Sequence, residues 1–403
     1  MGNRYTRGAA LLLLLLAWAG NAAAGPDEKV STLADQQGVA VTIYNDNLAL
    51  VKDRRTIYLP ATTSTLAFRE VSGMMRPETA LLQGSPREDV VVLEQNFDFD
   101  LLTPGKLLEK YIGRTVGIVK THPTTGEETE EKAVVLSANN GVVLRVGSRI
   151  ETGVSGGRLI FPDVPANLRD RPTLVMQLAS RSAGEKTLEL SYLTGGLGWQ
   201  ADYVAELDSA EKRLNLLGWV TLTNTSGTSY RNARLQLVAG DVHQVRPVLE
   251  KRLTRQGPEI ALAAEAPGMA RESLLDYHLY TLEKRTDILE NQTKQVALLQ
   301  AENVAAAKEY LLQGQDYYYR NIFPGPAAKA KVAVYLSFDN TAAANLGLPL
   351  PKGVMRVYKQ DRSGSVQFVG EDRMNHTPEN ETVRLQLGHA FDITAERSQT
   401  DFK

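Results

Sequence analysis

The chain has 403 residues, 43% of them hydrophobic and 23% charged, with 45 basic against 47 acidic side chains and no cysteine. That balance excludes a collagen-like, a wholly disordered or a disulfide-stapled chain, and the formal net charge of −2 gives no general attraction to nucleic acid or anionic lipid. The length suits roughly two or three domains, each able to bury a core of its own.

The first 24 residues have the layout of a secretory signal peptide: Arg4 and Arg7, then an apolar run over 9–19 rich in leucine, then the small-residue site Ala22-Ala23-Ala24. Such a leader is too short to persist as a membrane span, and no stop-transfer pattern follows it. Both arginines leave with it, so the mature chain is more acidic than the whole. Without cysteine no lipobox is possible. The reading is a secreted protein of the bacterial periplasm or exterior, with no integral membrane span after cleavage and no nucleic-acid partner.

Residues 25–112 read as an N-terminal β domain. Val39, Val41 and Ile43 alternate onto one face before the turn Asn45-Asp46-Asn47. Further short strands are expected over 55–59, 65–68 and 90–93, and their spacing suits a sandwich rather than βαβ units. One helix is signalled near the end of this stretch: Thr103 caps it, Pro104 takes its first position, Leu107, Leu108, Tyr111 and Ile112 share a face, and Gly113 ends it.

Over 113–165 short strands joined by tight turns, among them the hairpin signal Asn139-Asn140-Gly141, predict a small SH3-like barrel. Its acidic run Glu127, Glu128, Glu130 and Glu131 reads as a solvated hairpin tip, since nothing makes those carboxylates converge.

Residues 166–403 form the C-terminal β-sandwich region, where the strands lengthen. Trp199, Ala201, Tyr203, Ala205 and Leu207 alternate with mainly polar residues, which predicts one buried and one wet face. Residues 250–273, rich in Ala, Glu and Pro without a period, read as a mobile loop. Residues 269–313 contain neither Gly nor Pro, and propensity alone favours helix there. Within them, however, Tyr277-His278-Leu279-Tyr280-Thr281-Leu282 is aromatic and strand-like. Alternation resumes over 332–338 and 354–358.

Several separated motifs carry a resemblance. They are Ser191-Tyr192-Leu193-Thr194-Gly195-Gly196-Leu197-Gly198-Trp199-Gln200-Ala201-Asp202-Tyr203, Gly218-Trp219-Val220-Thr221-Leu222-Thr223-Asn224, Leu237-Val238-Ala239-Gly240-Asp241-Val242, Asp276-Tyr277-His278-Leu279-Tyr280, Lys294-Gln295-Val296 and Arg356-Val357-Tyr358-Lys359. Together they resemble an exported bacterial family of unknown function that shares the uncharacterised C-terminal β-rich domain of the mucoidy-inhibitor A proteins.

The resemblance implies mostly β structure, including strands over 269–313, and supplies no catalytic residues to carry over. No sustained heptad repeat is present, so the chain is similar to the shorter form that lacks the coiled coil. Family members continue with further strands past the equivalent of Gly388-His389-Ala390-Phe391-Asp392, so the sequence ending at Lys403 reads as a fragment with an incomplete final sandwich and an unpaired sheet edge. The expected fold is therefore mainly β: immunoglobulin-like β-sandwich domains with a small SH3-like barrel insertion and few helices.

The motifs for chemistry are weak. Gly153-Val154-Ser155-Gly156-Gly157 matches the nucleophile elbow of serine hydrolases, but that elbow needs a following helix, and Arg158-Leu159-Ile160-Phe161-Pro162 reads as strand and then proline. His122, His243, His278, His376 and His389 make no zinc-spaced pair, and no metal or cofactor is expected. Gly195-Gly196-Leu197-Gly198 lies between strands and reads as a bend that lets sheets pack closely before Trp199. Trp199 and Trp219 are candidates for a sugar-stacking platform, with Trp199 better placed in the core.

The binding candidates are Tyr317, Tyr318 and Tyr319, whose alternate side chains point to opposite faces of a strand. The functional expectation is a non-catalytic binding or assembly role in the cell envelope or outside the cell, with an envelope protein or a glycan as partner. The alternatives are an exported hydrolase of glycan or peptide with a site of scattered carboxylates, or a carbohydrate-binding protein.

Overall fold

The computed structural model describes residues 28–45, 47–85, 89–139, 141–153, 157–165, 168–240, 242, 269–274, 277–314, 320 and 329–396. They are mainly β. In chain order come β1 (Glu28–Ser31), β2 (Gln36–Tyr44), β3 (Leu48–Leu59), β4 (Thr63–Arg69), β5 (Leu81–Ser85), β6 (Val90–Asp98) and the helix α1 (Pro104–Lys110). Next are β7 (Thr115–Thr121), β8 (Glu128–Ser137), β9 (Val143–Val146), β10 (Arg149–Thr152), β11 (Gly157–Ile160), β12 (Thr173–Ser180), β13 (Gly184–Thr194), β14 (Leu197–Leu207), β15 (Arg213–Asn224) and β16 (Tyr230–Ala239). The last group is β17 (Met269–Leu274), β18 (Tyr277–Leu282), β19 (Thr286–Ile288), β20 (Gln292–Leu311), β21 (Lys329–Asp339), β22 (Gly353–Gln360), β23 (Val366–Met374) and β24 (Thr382–Glu396). No helix among the described residues is long and apolar enough to cross a membrane.

The chain divides into two units that interleave in sequence. The first takes Met1–Ser31, Thr63–Arg69 and Leu93–Ala179. Its four-stranded sheet has the order β1-β4-β12-β6, with Leu66 and Phe68 opposite Met176 and Leu174 in the core. Arg169 ties that sheet together, its fork donating to Glu28 at 2.8 and 2.9 Å and its Nε to Asp98 at 3.0 Å.

The five-stranded sheet β10-β9-β8-β7-β11 wraps a separate small core of Tyr111, Val116, Ile118, Ala133, Val135, Leu144 and Val146, with Leu107 and Leu108 of α1 against it. The start signals of α1 act as the sequence predicts, with the Lys106 amide donating to Thr103 Oγ1 at 3.2 Å and proline in the first turn. The helix ends at Lys110, however, before Gly113, and Ile112 is exposed instead of sharing the packed face. The acidic run is exposed, but only Glu127 lies in the β7–β8 turn; Glu128, Glu130 and Glu131 stand on β8 itself, and Glu128 is paired with Arg158 at 2.6 and 2.8 Å.

The second unit takes Thr32–Thr62, Glu70–Val92 and Ser180–Lys403. One of its sheets runs β17-β18-β16-β2-β3-β13-β5, with β19 beside β16. Val39, Val41 and Ile43 of β2 are buried as their alternation predicts. The turn from β13 into β14 needs glycine at position 196: its φ is +78°, and an added Cβ would lie 2.5 Å from the Ser226 Cα.

The other sheet runs β23-β22-β14-β15-β20-β21-β24. Its two end strands come together, since the Gln386 amide donates to Asp372 Oδ2 at 2.7 Å and a Cβ on Gly370 would meet the Leu387 carbonyl oxygen at 2.5 Å. The sheet is therefore a nearly closed barrel. Tyr203, Leu216, Leu336, Met355, Val357 and Leu385 are fully or almost fully buried and alternate onto one face of their strands. Gly218 leaves room for the Tyr203 ring, whose carbons a Cβ there would meet at 3.3 Å.

Two features depart from simple patterning. Residues 292–311, rich in helix formers, are the long strand β20, as the resemblance implies and propensity does not. Pairing with β15 on one side and β21 on the other outweighs helix preferences of only about 0.5 kcal/mol per residue. Asp202, expected on a wet face, is buried, because Thr221 Oγ1 at 2.5 Å and Arg356 Nη1 at 3.0 Å reach it from the flanking strands. Of the predicted mobile loop, residues 269–273 belong to β17, and 250–268 lie outside the described residues.

Candidate functional site

The open mouth of the barrel is a cleft of about 350 Å³, and its architecture follows from strand alternation. On β20 the face that buries Val304 carries Lys308 and Tyr310 two residues apart at the strand's end; on β22 the face of Met355 and Val357 ends in Lys359. Leu207 of β14, Val334 and Leu336 of β21 and Leu387 of β24 make the apolar wall. Phe391 stands at the rim, 96% exposed.

Into this mouth the β14–β15 turn delivers one carboxylate. Asp208 builds the turn, its Oδ1 accepting from the Lys212 amide at 2.8 Å and the Arg213 amide at 3.2 Å. Glu211 then occupies a left-handed position, φ +59°, where glycine or asparagine is at ease and a longer side chain costs about 1 kcal/mol. Its two carboxylate oxygens are taken by two lysines on different strands, Oε2 by Lys308 and Oε1 by Lys359.

These ammonium groups hold the Glu211 carboxyl below the ordinary carboxylate range. Lys308 is raised in turn, first by Glu211 and then by Tyr310, over whose ring its Nζ sits at 5.3 Å. His389 and Asp392 complete the polar lining. Glu211 and Lys308 are both shifted towards their charged forms, whereas a general acid or base works best with a pKa near the operating pH.

A second polar cluster in this unit is enclosed. Arg55, fully buried, donates to Asp53 Oδ2 through Nε at 3.2 Å and Nη2 at 2.8 Å, and Gln36 holds the other oxygen at 2.9 Å. Nearby, Ser72 Oγ meets Thr194 Oγ1 at 2.6 Å and donates to the Ser226 carbonyl at 2.9 Å, while Ser226 Oγ lies 3.2 Å from the Tyr230 hydroxyl. Burial pushes Tyr230 up to about 12 and Tyr192 well above its usual value, so both phenols stay neutral. This network fastens strands and turns within the unit.

The residues singled out by sequence are scattered. Tyr317, Tyr318 and Tyr319 lie outside the described residues, as do Ser155 and His243. A strand, β11, follows the position of Ser155, so the segment lacks the helix of a nucleophile elbow. His122 Nδ1 accepts from two turn amides, Thr124 at 3.3 Å and Thr125 at 3.2 Å. His376 accepts from the Lys352 amide at 3.2 Å.

No metal-holding group of His, Asp and Glu occurs among the described residues. Trp199 is buried opposite Leu222, and Trp219 pairs with Asp202 on the other face, so the two indoles form no common platform. Glu211, Lys308 and Lys359 were missed by linear reading. Their one signal is a lysine on the apolar face of a strand, at Lys308 after Val304 and at Lys359 after Val357.

The fold and mouth define a multi-sheet β protein with an open, charged barrel end. Compared with protein-family models and with curated proteins, the chain matches none.

Proposed function

We propose that this is an exported, non-catalytic protein of the bacterial cell envelope or exterior, a short-form member of the family it resembles, which binds a ligand or partner group at the barrel mouth. The observation that supports the reading is the mouth: a concave apolar cleft with a few convergent polar groups, the usual make-up of a binding site at the end of a barrel. The signal-like leader supports export. The mutual neutralisation of Glu211 with Lys308 and Lys359 supports binding over acid–base turnover.

The test is fluorescence of the uncharged apolar probe N-phenylnaphthylamine with the purified full chain. Emission should rise on binding and be lost in Ala390→Trp, which fills the cleft from a lining position. Absence of any rise overturns the reading. So does steady hydrolysis of a glycan or peptide by pure protein that disappears in Glu211→Gln or His389→Ala.

A further inference from the structure

Two cations from separate strands converging on the two oxygens of one carboxylate make a cradle for an oxyanion, and the present occupant is supplied by the chain itself. Three features mark Glu211 as a replaceable occupant. It comes from a turn and not from a barrel strand, so it can leave without breaking the ladder. Its side chain can swing about its own bonds while the turn hydrogen bonds to Asp208 stay in place. The side chains of Glu211, Lys308 and Lys359 keep 27%, 31% and 30% of their exposure, so solvent anions reach them.

The charges facing the cleft are Lys308, Lys359, Glu211 and Asp392, with His389 beside them. With Glu211 swung away, two cations face one remaining carboxylate and an apolar wall of Leu207, Val334, Leu336 and Leu387.

We propose that the Glu211 carboxylate is a tethered stand-in for the head of a ligand, and that the mouth takes an amphiphile with a carboxylate or phosphate head and an apolar tail. This rests on the binding reading of the same cleft. The head displaces Glu211 and bridges Lys308 and Lys359 through charge-assisted hydrogen bonds, while the tail covers the apolar wall. A tethered competitor acts at an effective concentration in the millimolar range, so Glu211 sets a threshold that excludes weak anions.

The test is calorimetric titration of the full chain with decanoate, decyl phosphate and uncharged decyl maltoside, each below its micellar concentration. Glu211→Gln should tighten one or both anionic ligands on the order of tenfold and leave decyl maltoside unchanged, and the anion that gains more identifies the head. Adding Lys308→Met, or Lys308→Gln where Met impairs folding as judged by melting temperature, should abolish the gain. Anion affinities that stay within about twofold in Glu211→Gln, with decyl maltoside still bound, overturn the stand-in role and leave the binding reading intact. Failure of all three ligands to bind any variant removes the binding reading itself.

Discussion

Glu211 shows how a single side chain can be costly locally and useful globally. Its backbone sits where asparagine or glycine is preferred, yet its carboxylate joins strands β20 and β22 through Lys308 and Lys359. Because these lysines lower its folded pKa, folding favours the ionised form. The stability this adds is complete above the ordinary carboxylate value of about 4.3 and disappears as pH falls through the lowered folded value. All three side chains are partly exposed, so the contribution is at most about 1 kcal/mol. Urea titrations of the native protein and Glu211→Gln should therefore differ modestly at pH 7 and converge as the pH is lowered below about 4. A gap that widens towards acid would contradict the pairing.

At the scale of elements, what was legible followed from local rules. The alternation of Val39, Val41 and Ile43, the cap Thr103 with Pro104, the face of Trp199 to Leu207 and the Gly195-Gly196 bend all depend on neighbours within one strand, helix or turn. The partners of β20 were not legible, because helix propensity in residues 292–311 is overridden by strands far away in sequence. The mouth was invisible for the same reason: residues 211, 308 and 359 meet only because the sheet sets β22 and β20 on either side of the β14–β15 hairpin.

Closure itself hangs on Gly370, where β23 approaches β24. A Cβ would sit 2.5 Å from the Leu387 carbonyl oxygen, at a φ of +156° that side-chain-bearing residues rarely adopt. Gly370→Val should cost about 1–3 kcal/mol and weaken naphthylamine binding, because Val369 and Leu387 line the cleft. Chemical denaturation and probe titration check the two effects separately. Unchanged stability would mean that the end strands tolerate separation.

For the whole molecule, the interleaving of the two units has consequences for folding. The four-stranded sheet needs β4 from Thr63–Arg69 between β1 and β12, and the second unit needs β2 and β3 between β16 and β13, although both precede β13 by more than a hundred residues of sequence. Such non-local pairing slows folding and leaves strand edges bare until it is complete. A fragment of residues 180–403 lacks β2 and β3, so the facing edges of β16 and β13 are left open; it should aggregate on size-exclusion chromatography. By contrast, residues 103–165 contain α1, β7 to β11 and every member of the small core around Tyr111 and Leu144. That piece should give a dispersed amide spectrum as a monomer, with the marginal stability expected of about sixty residues. A well-dispersed monomeric 180–403 would show that β13 and β16 manage without the strands between them, and the second unit would then be built on the barrel alone.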